Sequence, residues 1–137
     1  MNFSFADDVT VDRLYDIIGE QGIAGLTARF YRQVPNNPTL SPMYPGDELG
    51  ASEKRLRDFL IFRFGGPRHY IAERGHPRLR MRHAPFPIDR QARTEWVALM
   101  DQAVEEMAFT PQVTDVLRAF FHEVATFLIN RAEADNA

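Results

Sequence analysis

Apolar residues recur every three or four positions in one short and four long segments of the chain, which is the spacing of one face of an α-helix. The short segment begins at a Thr10 cap and ends near Gly19. The long segments are residues 22–34, residues 51–64, residues 90–107 and a last one that begins at Pro111. The pattern therefore predicts an all-α domain of four substantial helices with shorter pieces between them.

Residues at the ends of these segments strengthen the prediction. Gly65 and Gly66 follow the second long segment, and glycine readily adopts the left-handed conformation that ends a helix. Asp89 is suited to cap the third long segment, and Thr110 followed by Pro111 is suited to begin the last. Periodicity alone does not separate a helical bundle from globin-like packing, so both stay open at this point.

The widest apolar stripe lies on the last predicted helix. Its inward positions are predicted to be Val113, Val116, Leu117, Phe120, Phe121, Val124, Phe127 and Leu128. A chain of 137 residues with 45% hydrophobic content suits one compact domain, residues 1–137, in which residues 1–9 form an N-terminal extension.

Composition excludes several kinds of chemistry. The chain has no cysteine, which excludes disulfides, thiolate metal sites and cysteine nucleophiles. A net charge of −3 is too small to indicate a nucleic-acid-binding protein as a whole. The start of the chain has neither a basic leader nor an apolar run, and no later apolar segment approaches the length of a membrane span. We therefore expect a soluble, cytoplasmic protein with no membrane or nucleic-acid partner.

The segment from Arg63 to His83 differs from the rest of the chain in charge and composition. It contains six arginines against one acidic residue, a local charge of +5, together with three of the four histidines. Its glycines permit unusual backbone angles, while its prolines fix others. Such a segment is typical of a solvated face, of a weak nucleic-acid patch or of an anion site. One candidate function is therefore a small helical regulatory module, which would bind nucleic acid or a protein through this arginine-rich segment.

The same region also contains a recognisable run of residues. Gly-Gly-Pro stands at 65–67, Arg-Gly-His-Pro-Arg-Leu-Arg-Met-Arg-His-Ala-Pro-Phe at 74–86, and Trp96 on the next predicted helix. This combination resembles the signature of the group II truncated haemoglobins. The resemblance extends to Phe30-Tyr31, Tyr44-Pro45 and Leu56 and covers nearly the whole chain. It implies the truncated globin fold, a two-over-two helical sandwich with a short first helix and a loop-like proximal segment.

The resemblance also implies a cofactor. In that family the histidine matching His83 is the protein ligand of the haem iron, and without cysteine the haem would be a non-covalent haem b. The residues expected to contact this cofactor are Phe30, Arg55, Leu56, Phe59, Leu60, Tyr70, Arg82 and Phe86. Of these, the arginines and Tyr70 are expected to meet the two propionates, and the apolar residues to exclude water.

On the opposite side of the haem, the resemblance implies that Tyr31, Tyr44 and Trp96 surround the gas ligand. Ser52 matches the position at which many oxygen-storage globins carry a distal histidine. From the residues alone, these aromatic side chains are more typical of an ordinary core. The resemblance implies reversible binding of dioxygen, carbon monoxide and nitric oxide, with hydrogen bonds that slow oxygen release.

Three aspects of this interpretation stay open. Activity as a nitric oxide dioxygenase or peroxidase would require an electron donor. That donor would be a separate, unknown reductase, because the sequence carries no flavin or nicotinamide motif. A homodimer is an alternative to a monomer. A second axial histidine would change gas binding to electron transfer; His122 is predicted on a polar helix face, and the roles of His69 and His76 are not assigned.

Overall fold

A computed structural model of the chain describes residues 8–44, 48–68 and 78–132. Within these ranges the regular structure is helical. The α-helices are α1 (Leu14–Gln33), α2 (Glu48–Arg63), α3 (Leu79–His83), α4 (Arg90–Met107) and α5 (Pro111–Phe127). Short 3₁₀ turns occupy Val11–Arg13, Val34–Asn36 and Ser41–Met43. The prediction of an all-α fold is confirmed.

Helix α1 contains the break that the sequence predicts. Gly19 has φ 71° and ψ 175°, a non-helical conformation that joins two helical stretches across a kink. Glycine reaches a positive φ without the clash of a Cβ atom, so it is the residue expected at such a point. The predicted end of a first short helix near Gly19 is therefore confirmed.

Helix α2 begins three residues earlier than the predicted residue 51 and ends as predicted before the two glycines. The Gly66 amide donates to the Ile61 carbonyl at 2.7 Å, and the Gly65 amide donates to the Phe62 carbonyl at 3.2 Å. This pair of bonds, with Gly65 at φ 95°, is the Schellman arrangement of a helix C-terminus. A Cβ at Gly65 would overlap the backbone oxygen of Asp12, so the turn also packs tightly against the start of the fold.

Helices α4 and α5 have the predicted caps. The Ala92 amide donates to the Asp89 carboxylate at 2.8 Å, and the Val113 amide donates to the Thr110 hydroxyl at 3.4 Å. Pro111 occupies the first turn of α5, where its missing amide hydrogen leaves no carbonyl unsatisfied. These local signals place both helix starts at the predicted residues.

The helices pack around one hydrophobic core. Helix α1 contacts both α2 and α4, and α4 contacts α5. The largest fully buried side chains are Phe30, Phe64, Phe121, Leu14, Ile23, Leu26, Leu40, Leu60, Ile61, Met100, Leu117 and Val34. This is the truncated globin fold predicted from the resemblance. In its described part, residues 78–89, the proximal segment is irregular except for the short helix α3.

One predicted core position is wrong. Phe127 fits the apolar stripe of α5, but its side chain is 53% exposed. It lies in the last turn of the helix. There its ring contacts the guanidinium of Arg80, 5.1 Å from the ring centroid, and not the core. His122, in contrast, lies on the polar side of α5 as predicted, with Nε2 3.0 Å from a carboxylate oxygen of Asp101 on α4.

The conformation of Gly65 at the end of α2 leads to a prediction about stability. We expect Gly65→Ala to lower the free energy of unfolding by at least about 1 kcal/mol, because alanine is strained at this positive φ and its Cβ overlaps Asp12. The matched control is Ala108→Gly, an exposed position with φ 55° at the end of α4. It should gain up to about 1 kcal/mol, because relief of left-handed strain outweighs the added entropy of glycine in the unfolded chain. Urea unfolding of both variants measures the two changes, and equal stabilities would contradict the assignment of strain.

Candidate functional site

A cavity opens between α2, α3, α4 and α5, next to the C-terminal end of α1. Its volume is about 280 Å³, close to the lower end of the range of ~300–1,000 Å³ usual for small-molecule sites. The residues predicted for the site that line it are Tyr31, Tyr44, Ser52, Arg55, Leu56, Phe59, Leu60, Arg82, His83, Phe86 and Trp96. The fold therefore brings together residues that are up to 65 positions apart in sequence.

Among the predicted residues that the structure describes, Phe30 does not line the cavity. Phe30 is fully buried behind the wall, with its ring centroid 5.0 Å from that of Tyr31 and 5.2 Å from that of Trp96. It supports the wall from the core side. Tyr70, together with His69 and His76, lies outside the described residues.

His83 lies at the end of α3 and faces the cavity from one side. Its Nδ1 is 2.7 Å from the carbonyl oxygen of Leu79, one helical turn earlier. Because a carbonyl oxygen only accepts hydrogen bonds, Nδ1 carries the proton in this bond, which leaves the lone pair on Nε2. A neutral imidazole with a fixed tautomer is the form in which histidine binds a metal.

The hydrogen-bond donors lie together on another part of the wall. The rings of Tyr31 and Tyr44 meet edge to face with centroids 5.6 Å apart. The Tyr31 hydroxyl and the Trp96 indole N–H interact with the Tyr44 hydroxyl, and the Ser52 hydroxyl interacts with Tyr31. Three aromatic donors and one serine thus form a connected polar cluster inside an otherwise apolar cavity.

Burial decides the ionisation state of this cluster. Burial raises the pKa of Tyr31 well above its ordinary value of 10.0, and the neighbouring Tyr44 raises it further. The pKa of Tyr44 is likewise raised by burial, while hydrogen bonds from Tyr31 and Trp96 act in the opposite direction. Both phenols are therefore protonated at physiological pH and available as donors.

Positive charge stands at the cavity mouth. Arg55 donates from Nη2 to the Ser52 hydroxyl at 3.3 Å and pairs with Glu48 at 3.6 Å. Its charge also lowers the pKa of Tyr31 slightly, against the larger effect of burial. Arg82 lines the cavity beside His83 and is exposed. Two guanidinium groups at an open rim are suited to bind carboxylates.

Sequence reasoning missed two polar residues that line the cavity. Asp58 is only 3% exposed and accepts from the ammonium of Lys54 at 2.9 Å. Arg93 bridges α4 to α5, donating to the Thr126 hydroxyl at 3.0 Å and to the His122 carbonyl at 3.2 Å. Helical spacing back from Trp96 could have indicated Arg93. No local signal marks Asp58 as buried.

Comparison with known proteins identifies the class of protein that this fold and site define. A family model described as bacterial-like globin matches residues 13–130. The chain therefore belongs to the bacterial-like globin family, and the predicted resemblance to group II truncated haemoglobins is confirmed. Membership in this family implies a haem cofactor and oxygen binding of the globin type.

Three relatives show how far the similarity extends. Group 2 truncated hemoglobin YjbI of Bacillus subtilis is 33% identical over 122 residues, which are 89% of this chain and 92% of that protein. The structure of a thermostable hemoglobin from Thermobifida fusca superposes with a TM-score of 0.82 at 40% identity, covering 86% of this chain and 97% of the other. A truncated oxygen-avid haemoglobin from Bacillus subtilis superposes with a TM-score of 0.80 at 33% identity, covering 85% and 98%.

The residues present fit a haem group. His83 offers one imidazole lone pair, Leu56, Phe59 and other side chains give apolar walls, and Arg55 and Arg82 stand where carboxylates would meet water.

In the part of the chain that the structure describes, none of the helices is both long enough and apolar enough to cross a membrane.

The raised tyrosine pKa values predict a pH dependence of stability. Above the ordinary pKa of 10.0 the unfolded chain loses phenol protons that the folded chain keeps, so stability should fall as the pH rises further. The expected slope is up to about 1.4 kcal/mol per pH unit for each tyrosine. Urea unfolding between pH 8 and roughly pH 11 measures it.

The double variant Tyr31→Phe/Tyr44→Phe isolates this contribution, because it removes both phenols and keeps both rings. Its stability should fall less steeply with pH over the same range. If the phenolate absorption of all four tyrosines appeared while the chain was still folded, the inferred protection would be wrong.

Proposed function

We propose that the chain holds haem b without a covalent bond, with His83 as the protein ligand of the iron, and binds dioxygen, carbon monoxide and nitric oxide reversibly. The haem iron, when bound, supplies an open coordination position for a diatomic gas. The observation that carries the proposal is the 2.7 Å hydrogen bond between His83 Nδ1 and the Leu79 carbonyl. It fixes the tautomer whose Nε2 is free to bind a metal and limits rotation of the ring.

The remaining predicted contacts divide into two roles. Leu56, Phe59 and Leu60 present apolar surface to the cavity and exclude water from it. Arg55 and Arg82 bind the propionates by charge-assisted hydrogen bonds at the cavity mouth. Tyr70 stays a predicted propionate donor from the sequence resemblance, and Phe86, with its ring centroid 6.5 Å from that of His83, flanks the ligand histidine.

The cluster of Tyr31, Tyr44 and Trp96 stabilises the gas ligand. Dioxygen in a ferrous globin gains partial negative charge, and protonated phenols and an indole N–H donate to it without first having to lose water. Ser52 is too short to replace a distal histidine, but it orients the Tyr31 hydroxyl.

Several donors in one apolar cavity favour slow oxygen release. The similarity to a relative described as oxygen-avid supports this. Slow release suits oxygen scavenging, nitric oxide oxidation or peroxide-linked redox chemistry better than bulk oxygen transport. Reversible binding requires ferrous iron, so the proposal includes a separate reductase, and the expected cytoplasmic location and the alternative of a homodimer stay predictions.

Replacement of His83 tests the ligand assignment. The unmodified chain, supplied with haem, should give a stoichiometric Soret band and a five-coordinate ferrous spectrum that changes on adding carbon monoxide. We expect His83→Gly to lose the five-coordinate form and to regain it when imidazole is added, because the free ligand fills the space left by the side chain. The control is His122→Gly, whose side chain pairs with Asp101 and should leave the spectrum unchanged.

Two results would overturn this assignment. A six-coordinate ferrous spectrum of the unmodified chain without added gas would indicate an internal second ligand and electron transfer. Absence of a specific Soret band would contradict haem binding and favour the helical regulatory module, for which salt-sensitive binding to nucleic acid is the corresponding measurement.

Replacement of Trp96 tests the donor cluster. We expect Trp96→Phe to accelerate oxygen dissociation about ten- to a hundredfold, since a hydrogen bond to a charged acceptor contributes ~1.5–3 kcal/mol. Carbon monoxide carries less negative charge, so its dissociation rate in stopped-flow experiments should change much less and serves as the internal control. An unchanged oxygen dissociation rate would remove Trp96 from this role.

A further inference from the structure

Asn130 connects the end of the fold to the segment that carries His83. Its side-chain Nδ2 donates to the carbonyl of His83 at 3.2 Å and to the carbonyl of Phe86 at 3.0 Å. Its Oδ1 accepts from the amide of Ile88 at 2.9 Å and from Nη1 of the neighbouring Arg131 at 3.4 Å. One half-buried asparagine thus bonds to three residues that span six positions of backbone.

The backbone around Asn130 adds to this connection. The amides of Asn130 and Arg131 both donate to the Ile88 carbonyl, at 2.8 and 3.1 Å. Ile88 is therefore held through both its amide and its carbonyl. These bonds attach the short segment between α3 and α4 to the residues that follow α5.

The segment has few other means of holding a fixed shape. Helix α3 has five residues, which is too short for a helix to be stable by itself. Pro85 and Pro87 have no amide hydrogen, and residues 84–87 are exposed. Apart from the bonds inside α3, the backbone bonds within the described part of this segment are those from the Arg82 amide to Arg78, from the Ala84 amide to Met81 and from the Phe86 amide to His83.

We infer that Asn130 is a positioning residue for His83. The Leu79 carbonyl fixes the imidazole from the N-terminal side, and Asn130 fixes the backbone of His83 and Phe86 from the C-terminal side. Together they hold the ring at one angle to the cavity. The inference rests on the proposed role of His83 as the haem ligand and adds to it the residue that orients that ligand.

The chemistry of asparagine is suited to this position. An amide side chain donates two hydrogens and accepts at its oxygen, which matches two carbonyls and one amide. Aspartate would keep the bond from Ile88 but lose both donors and place a negative charge beside two carbonyl oxygens. Alanine would lose all three bonds.

The test compares Asn130→Ala and Asn130→Asp with Asn37→Ala in the haem-loaded chain. Asn37 is a matched control because it is also an asparagine whose side chain makes several hydrogen bonds, to Glu95, Thr39 and Leu40, in a different part of the fold. The iron–histidine stretching band in the resonance Raman spectrum reports on the ligand ring. The rate of haem transfer to an apoglobin acceptor reports on how firmly the histidine holds.

We expect Asn130→Ala to shift or broaden the iron–histidine band and to speed haem loss about tenfold or more, and Asn130→Asp to do so in the same direction. Asn37→Ala should lower the melting temperature without moving the band. If the Asn130 variants lowered the melting temperature but left both the band and the haem-loss rate unchanged, Asn130 would be a structural residue only and the inference would fail.

A haem-free measurement separates this inference from the proposed function. In the apo chain, the amide of Ile88 should exchange slowly with solvent, and Asn130→Ser should make it exchange at least about tenfold faster, because the bond to Oδ1 is weakened or lost. Equal exchange in both chains would overturn the attachment even if His83 binds haem. Slow exchange in a chain that takes up no haem would instead contradict only the proposed function.

Discussion

Packing around Phe30 constrains the wall of the cavity that carries the hydrogen-bond donors. Its ring is fully buried where α1 meets α4, in contact with the rings of Tyr31 and Trp96. Because interiors are close-packed, these two side chains cannot move independently of the core. The contact at Phe30 therefore sets where a phenol of α1 and an indole of α4 meet at the Tyr44 hydroxyl.

The part of the wall that carries His83 is held in a different way. It depends on hydrogen bonds at two ends of a short, largely exposed segment, to the Leu79 carbonyl within α3 and to Asn130 after α5. Side-chain packing fixes the donors, whereas hydrogen bonds between side chains and the backbone fix the histidine. Substitutions outside the cavity should therefore affect the two parts of the site separately. Substitutions in the core should displace the hydrogen-bond donors, and substitutions after the C-terminal end of α5 should displace His83.

Local signals predicted the helix ends because their effects act within a few residues. Asp89, Thr110 and Gly65 each bond to, or bend, the backbone of the adjoining turn. Phe127 shows the limit of periodicity, since the stripe of α5 places it inward but the last turn of the helix leaves it exposed beside Arg80. Phe30 shows a second limit of periodicity. The pattern predicts that a residue is buried, but it does not distinguish a residue that lines a cavity from one that packs behind the cavity wall.

The sequence by itself determined the helical segments, their caps and, through the family resemblance, most of the residues that meet at the cavity. Only the tertiary structure decided that Asp58 is buried, that Arg93 bridges two helices and that Asn130 holds the segment of His83. The bonds of Asn130 join residues 42 to 47 positions apart. Hydrophobic periodicity describes neighbours along one helix and carries no information about which distant residues the packing of several helices brings into contact.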